Sequence, residues 1–112
     1  MKYASLDTSV MVAFFDIKAE RHALYTSKLR IAQAQGRHLA TTWPCISEAS
    51  YILSPAGHFA LLNWIASGGT LVNDIELADL PKMVEYMQTY PEPGESLADL
   101  ADVSLVWLGQ KL

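Results

Sequence analysis

The order of its segments constrains this chain more than any single motif. Short runs that read as strands alternate with longer runs that read as helices. Tyr3–Asp7 is a short run ending in a carboxylate, and Val10 to Phe15 continues as a helical segment with Ser9 as its expected N-cap. Residues 20–35 read as a long helix: His22, Tyr25, Leu29 and Ala32 fall at helical spacing, and Gly36 is placed to stop it. His38–Thr42 is a second strand. Trp43-Pro44 opens a helix that runs to about Leu53, with Cys45, Ala49 and Ile52 on one stripe, since proline suits a first helical turn. Ser54-Pro55 breaks that helix, and residues 57–67 form another, aligning His58, Leu61, Leu62 and Ile65 before Gly68-Gly69. Thr70–Val72 is the third strand. Asp79 is placed to cap a helix with Pro81 in its first turn and Leu80, Val84 and Met87 on one side. A Tyr90–Gly94 loop follows. Ser96-Leu97-Ala98-Asp99 then reads as a capping-box start to a last helix, with Ala101, Leu105, Leu108 and Leu112 as its inward stripe. Strands separated by helices require right-handed parallel crossovers, which predicts an α/β sandwich.

Composition narrows the function classes. At 112 residues and 51% hydrophobic, the chain is sized for one well-buried domain. No apolar run is long enough to span a bilayer and no secretory leader is visible, so a cytoplasmic protein with no membrane contact is expected. The single cysteine, Cys45, excludes an internal disulfide and a thiolate metal cluster, and its apolar context reads as a buried small side chain. The net charge of −4 is unevenly spread: residues 1–43 carry +3 and residues 44–112 carry −7. The basic stretch holds Lys18, Arg21, Lys28, Arg30 and Arg37 with His22 and His38, a pattern that suits either phosphate contact or a solvated helix face.

Three acids stand out. Asp7 closes the first strand, where open parallel sheets gather their ligands. It sits in an apolar stretch, where burial is costly without a partner or a metal. Its structural reading is a cap for the next segment. Glu48 lies among Ile46, Ala49, Tyr51 and Ile52 with little polar company. Asp102 is placed in the second turn of the last helix, beyond the cap region, whereas Asp99 has a structural role as the capping-box partner of Ser96. Three dispersed oxygen ligands with hydroxyls beside the first suit a hard cation, magnesium or manganese rather than zinc.

Taken together, Leu6-Asp7-Thr8-Ser9-Val10, then Thr41-Thr42 with Ile46-Ser47-Glu48, then Ser96-Leu97-Ala98-Asp99-Leu100-Ala101-Asp102-Val103-Ser104-Leu105-Val106, resemble the motifs of the PIN-domain nucleases and, within them, the VapC-like toxins of toxin–antitoxin pairs. Arg21-His22 and Asn63-Trp64-Ile65 also fall where that family has comparable residues. The resemblance implies a three-layer α/β/α sandwich around a parallel sheet, formed by residues 1–112 as a single PIN-like domain. It implies a Mg2+- or Mn2+-dependent endoribonuclease whose metal-binding and catalytic acids are Asp7, Glu48 and Asp102, with Ser9 and Asp99 in support. RNA would lie along Arg21, Lys28, Arg30 and Arg37. A cognate antitoxin and a homodimer are the implied partners. Family members continue past this last helix into two further strands and a fourth acid in a threonine-x-aspartate motif. Ending at Leu112, the chain reads as C-terminally truncated, which implies weakened metal affinity. The rival expectations are a PIN-like module that binds antitoxin or RNA without cutting, and an α/β interaction domain whose acids are all caps and solvated faces.

Overall fold

In the computed structural model, which describes residues 2–89 and 99–112, the chain enters through β1, Tyr3–Ser5, and turns at once into α1, Thr8–Phe15. The turn is made by Asp7. Its backbone is extended, with ψ at 173°, and its Oδ1 accepts a hydrogen bond from Val10 N at 2.8 Å. The cap is therefore Asp7 and not Ser9, and the helix begins two residues earlier than its apolar run suggests. A carboxylate with extended backbone satisfies one of the orphan N–H groups of the first turn.

Next come α2, His22–Ala34; β2, His38–Thr42; α3, Trp43–Ile52; and α4, Pro55–Ala66. Gly36 ends α2 with a φ of 76°, and Gly68 ends α4 with a φ of 87°. These left-handed turns favour residues without a Cβ. β3, Leu71–Asn73, follows. A 3-10 turn at Leu77–Asp79 then leads into α5, Leu80–Thr89. Asp79 pairs with Glu76 in a reciprocal cap of the 3-10 turn, so it acts one step upstream of the helix it was expected to cap. The last helix, α6, spans Leu100–Lys111 with Asp99 as its N-cap; the expected Ser96 cap lies outside the described residues.

The three strands are parallel in the order β1-β2-β3, with Tyr3 opposite His38 and Thr42 opposite Asn73. Successive β2 residues point to opposite faces and divide the core. Leu39 joins Leu6, Met11, Ile46, Ala49 and Leu61 beneath α1 to α4, while Ala40 joins Met83, Tyr86, Val103, Trp107 and Leu108 beneath α5 and α6. Helices on both faces of a parallel sheet make the expected α/β/α sandwich. Among the described residues no helix is long and apolar enough to cross a membrane.

Several inward stripes differ from the periodic expectation. On α3 the buried residues are Cys45, Ile46 and Ala49, while Ile52 is exposed. On α4, Leu61 is fully buried but Leu62 is not. On α6, Val103, Ser104 and Trp107 join Ala101 and Leu108, and Leu112 is exposed. The cause is geometric: α3 and α6 pack against each other as well as against the sheet, so each helix buries a wider arc than one stripe.

Candidate active site

The carboxyl ends of β1 and β2 open onto the first turns of three helices, and Cys45 links them. Thr8, the first residue of α1, donates from Oγ1 to the Cys45 carbonyl at 3.4 Å. The Cys45 thiol, in the first turn of α3, donates to the Ala101 carbonyl in the first turn of α6 at 3.5 Å. Burial pushes this thiol above its ordinary range. Hydrogen bonds from Thr42, Ser104 and Thr8 pull the other way, and the nearby Asp7 charge adds a further upward push. Cys45 is thus the buried, unreactive side chain expected of it.

Below Cys45 lies a buried hydroxyl web. Thr42 at the end of β2 and Ser104 on α6 are fully buried, with their oxygens 2.6 Å apart. Ser104 also donates to the Ala101 carbonyl at 2.7 Å, leaving Thr42 as the donor of the pair. Thr41, also fully buried, donates to the Leu6 carbonyl at 2.7 Å, locking the backbone just before Asp7. The motif Thr41-Thr42 therefore has a structural meaning: its two side chains point to opposite faces and fasten the strand ends to what lies on each side.

The acids stand around this web. Asp7, Glu48, Asp99 and Asp102 are all exposed. For Asp7 the burial cost anticipated from its apolar surroundings does not arise. Its position is still favourable, because a carboxylate at a helix N-terminus meets the positive end of the helix dipole. Asp102 differs from expectation. It stands at the third position of α6, in the first turn, and shares a reciprocal capping box with Asp99: Asp102 N donates to Asp99 Oδ1 at 2.9 Å, and Asp99 N to Asp102 Oδ2 at 3.4 Å. Asp102 thus has a structural role. Glu48, in the second turn of α3, makes no hydrogen bond or ion pair to any described residue.

Glu48 separates two clefts. One, of about 360 Å³, is lined by Ser9, Val12, Arg21, Glu20 and Ile52 together with Glu48. The other, of about 460 Å³, is lined by Pro44, Ser47, Tyr51 and Asp99 together with Glu48. The structure thus brings Ser9, Arg21, Glu48 and Asp99 to one surface. The remaining basic residues go elsewhere. Lys28 lies over the Tyr25 ring at 5.6 Å, Arg30 lines a groove along α2 with His22, and Arg37 lines a cleft between Gly36 and Gly69. Tyr51 is a surface aromatic that the motifs did not single out. Its signal in the sequence is the three-residue step from Glu48, which puts both on one helix face.

As ligands for a cation, these residues match in kind but not in placement. All are oxygen donors of the type that binds magnesium or manganese. Yet among the described residues no group of three histidine, cysteine, aspartate or glutamate side chains is placed to hold a metal ion. Bringing three carboxylates together would require them to turn from the positions described.

Comparison with known proteins places the architecture. The structure resembles the crystal structure of VapC20 from Mycobacterium tuberculosis, described as a sarcin-ricin loop cleaving toxin, with a TM-score of 0.70 and 16% sequence identity. The match covers 96% of this chain and 81% of that one. No protein-family model and no curated protein matches the sequence.

Proposed function

We propose that this chain, whose fold is a VapC-like PIN fold, is a toxin-type endoribonuclease dependent on Mg2+ or Mn2+. The carrying observation is that the N-terminal turns of α1, α3 and α6, each supplying an acid on or beside it, are fastened together through Cys45 at the carboxyl end of the parallel sheet. Asp7, Glu48 and Asp102 are the proposed metal-binding acids, with Asp99 and Ser9 in support. A divalent cation, if held by these acids, would polarise the substrate's phosphoryl oxygen and activate a water. As described, no three of the side chains gather onto one ion. What the chain's own residues contribute is placement. The cap holds Asp7, Thr41 fixes the backbone before it, and Arg21 offers a guanidinium to phosphate beside Glu48. Lys28 and Arg30, both exposed on α2 but away from this cleft, are proposed to meet phosphates further along the strand. A cognate antitoxin and a homodimer belong to the same proposal, and a structured loop such as the sarcin–ricin loop is the first RNA to try.

Asp7→Asn is the decisive variant, because asparagine still caps a helix. Purified chain incubated with RNA and Mn2+ should cut, and should stop on chelation. Asp7→Asn should lower the rate by about 100-fold or more, the effect of removing several kcal/mol of metal-assisted stabilisation. Equal cleavage by the variant rejects the proposal, and metal-independent cleavage rejects its cation.

A further inference from the structure

We infer that Tyr51 is a stacking platform for a nucleobase of single-stranded RNA, and that the strand crosses α3 at Glu48 with its phosphates toward Arg21 and a base over Tyr51. The inference rests on the ribonuclease reading and deepens it. Three observations carry it. Tyr51 is 90% exposed, so its ring has almost no packing role in the fold. It lines a cleft with Pro44, Glu48 and Asp99, so the aromatic face stands directly beside the acids that the reading assigns to chemistry. Charge differs on the two sides of Glu48: among the described residues the Tyr51 cleft has carboxylates and no cation, whereas the other cleft has Arg21, accompanied by Glu20.

A nucleotide is divided in the same way. Its phosphate is anionic and is repelled from a cleft lined by Glu48 and Asp99. Its base is neutral, offers a π-face to an aromatic ring, and carries amino groups that can donate to carboxylates. The cleft volume of about 460 Å³ falls within the range of small-molecule sites. Ile52, 56% exposed on the Arg21 side, provides apolar surface for the neighbouring nucleoside. A ring that shares its cleft with two acids, with a guanidinium in the cleft across Glu48, matches a polymer that alternates neutral rings with anionic links better than a protein surface.

The test uses a single-stranded RNA oligonucleotide carrying 2-aminopurine, in EDTA so that no cleavage occurs. Affinity is read by anisotropy and stacking by quenching of the 2-aminopurine. Wild-type protein should bind and quench. Tyr51→Ala should weaken binding by about 5- to 150-fold, the range spanned by one base–aromatic stack, and lose the quench. Tyr51→Phe should retain both, and the thermal midpoint of each variant should stay at the wild-type value because the side chain is exposed. Unchanged affinity or a persisting quench in Tyr51→Ala overturns the inference. So does a variant that binds RNA normally but no longer binds a protein partner. Tyr51-dependent binding without cleavage under any divalent cation rejects the ribonuclease reading alone. Cleavage lost in Asp7→Asn but untouched in Tyr51→Ala rejects the stacking inference alone. No RNA binding by the wild-type chain rejects both.

Discussion

Ser104→Ala tests the buried hydroxyl web most directly, and its size follows from which atom donates. Ser104 gives its proton to the Ala101 carbonyl at 2.7 Å, so the 2.6 Å contact with Thr42 is a hydrogen bond donated by Thr42. Both side chains are fully buried. Removing the Ser104 oxygen leaves the Thr42 hydroxyl only the Cys45 sulfur, a weak acceptor, in a place water does not reach, and a poorly satisfied buried donor costs about 1–3 kcal/mol. Thr42→Val keeps nearly the same shape and removes the donor. Ser104 can then still donate to Ala101, so the loss is that of one ordinary hydrogen bond, about 0.5–1.5 kcal/mol. The double variant leaves neither group stranded and should be more stable than Ser104→Ala alone. Such an ordering gives a coupling energy within the roughly 0.5–3 kcal/mol found for contacting pairs. Urea unfolding followed by tryptophan fluorescence measures all four corners of the cycle, and an unchanged m-value confirms that the unfolding transition itself is the same. If Ser104→Ala costs the same whether residue 42 is threonine or valine, the donor assignment is wrong and the web does not fasten β2 to α6 as described.

Two further outcomes follow from packing and burial. Gly69→Ala should destabilise the fold by about 1–3 kcal/mol by overpacking. A Cβ there would stand 2.2 Å from Cε2 of Trp64, whose ring lies 5.8 Å from Phe14 and 5.4 Å from Phe15 between centroids; a thermal midpoint equal to wild type refutes this. Cys45, its pKa raised by burial, makes stability fall at alkaline pH: above the ordinary thiol range the unfolded chain has released a proton that the folded one keeps, so the contribution is complete below that range and is lost as pH rises toward the folded value. Urea midpoints of Cys45→Ala should decline less than wild type across that window, and parallel declines refute the assignment.

Much of the fold is legible because strand–helix alternation leaves few topologies. β2 occupies its expected residues, and β1 and β3 differ at their ends by one or two. What sequence periodicity cannot supply is knowledge of which faces become covered. Ile52 shares a stripe with Cys45 and Ala49, yet the buried arc of α3 is shifted toward Ile46, because α1, α4 and α6 pack on that side, and Ile52 is left exposed. Competition between neighbouring caps is similarly hidden. Asp7 and Ser9 are both good N-cap residues, and the choice falls to Asp7 because the strand delivers it in extended backbone within reach of Val10 N. The basic stretch is continuous in sequence but scatters in space, since α2 runs along the sheet and carries Arg37 away from the end where Arg21 sits.

The candidate site was legible in its acids and illegible in its supports. Asp7, Glu48 and Asp102 could be singled out one by one as candidates, whereas the Thr42–Ser104 contact spans 62 residues and exists only because α6 crosses the end of β2. Asp102 shows why the distinction matters. It is bound into a cap by Asp99, so replacing it perturbs the start of α6 as well as any ligand it provides. Asp7 also caps a helix, but Asp7→Asn preserves the cap and removes the charge. Glu48 makes no hydrogen bond to a described residue, so its replacement should leave the fold unaltered. Loss of cleavage in Glu48→Gln and Asp7→Asn, at unchanged stability, therefore carries weight for the chemistry that loss in Asp102→Ala does not. The carboxylates tolerate one another because each is exposed to water and three of them, Asp7, Asp99 and Asp102, stand at helix N-termini. A divalent cation shared by three of them would have to draw them out of these placements, the two in the α6 cap at the cost of that cap.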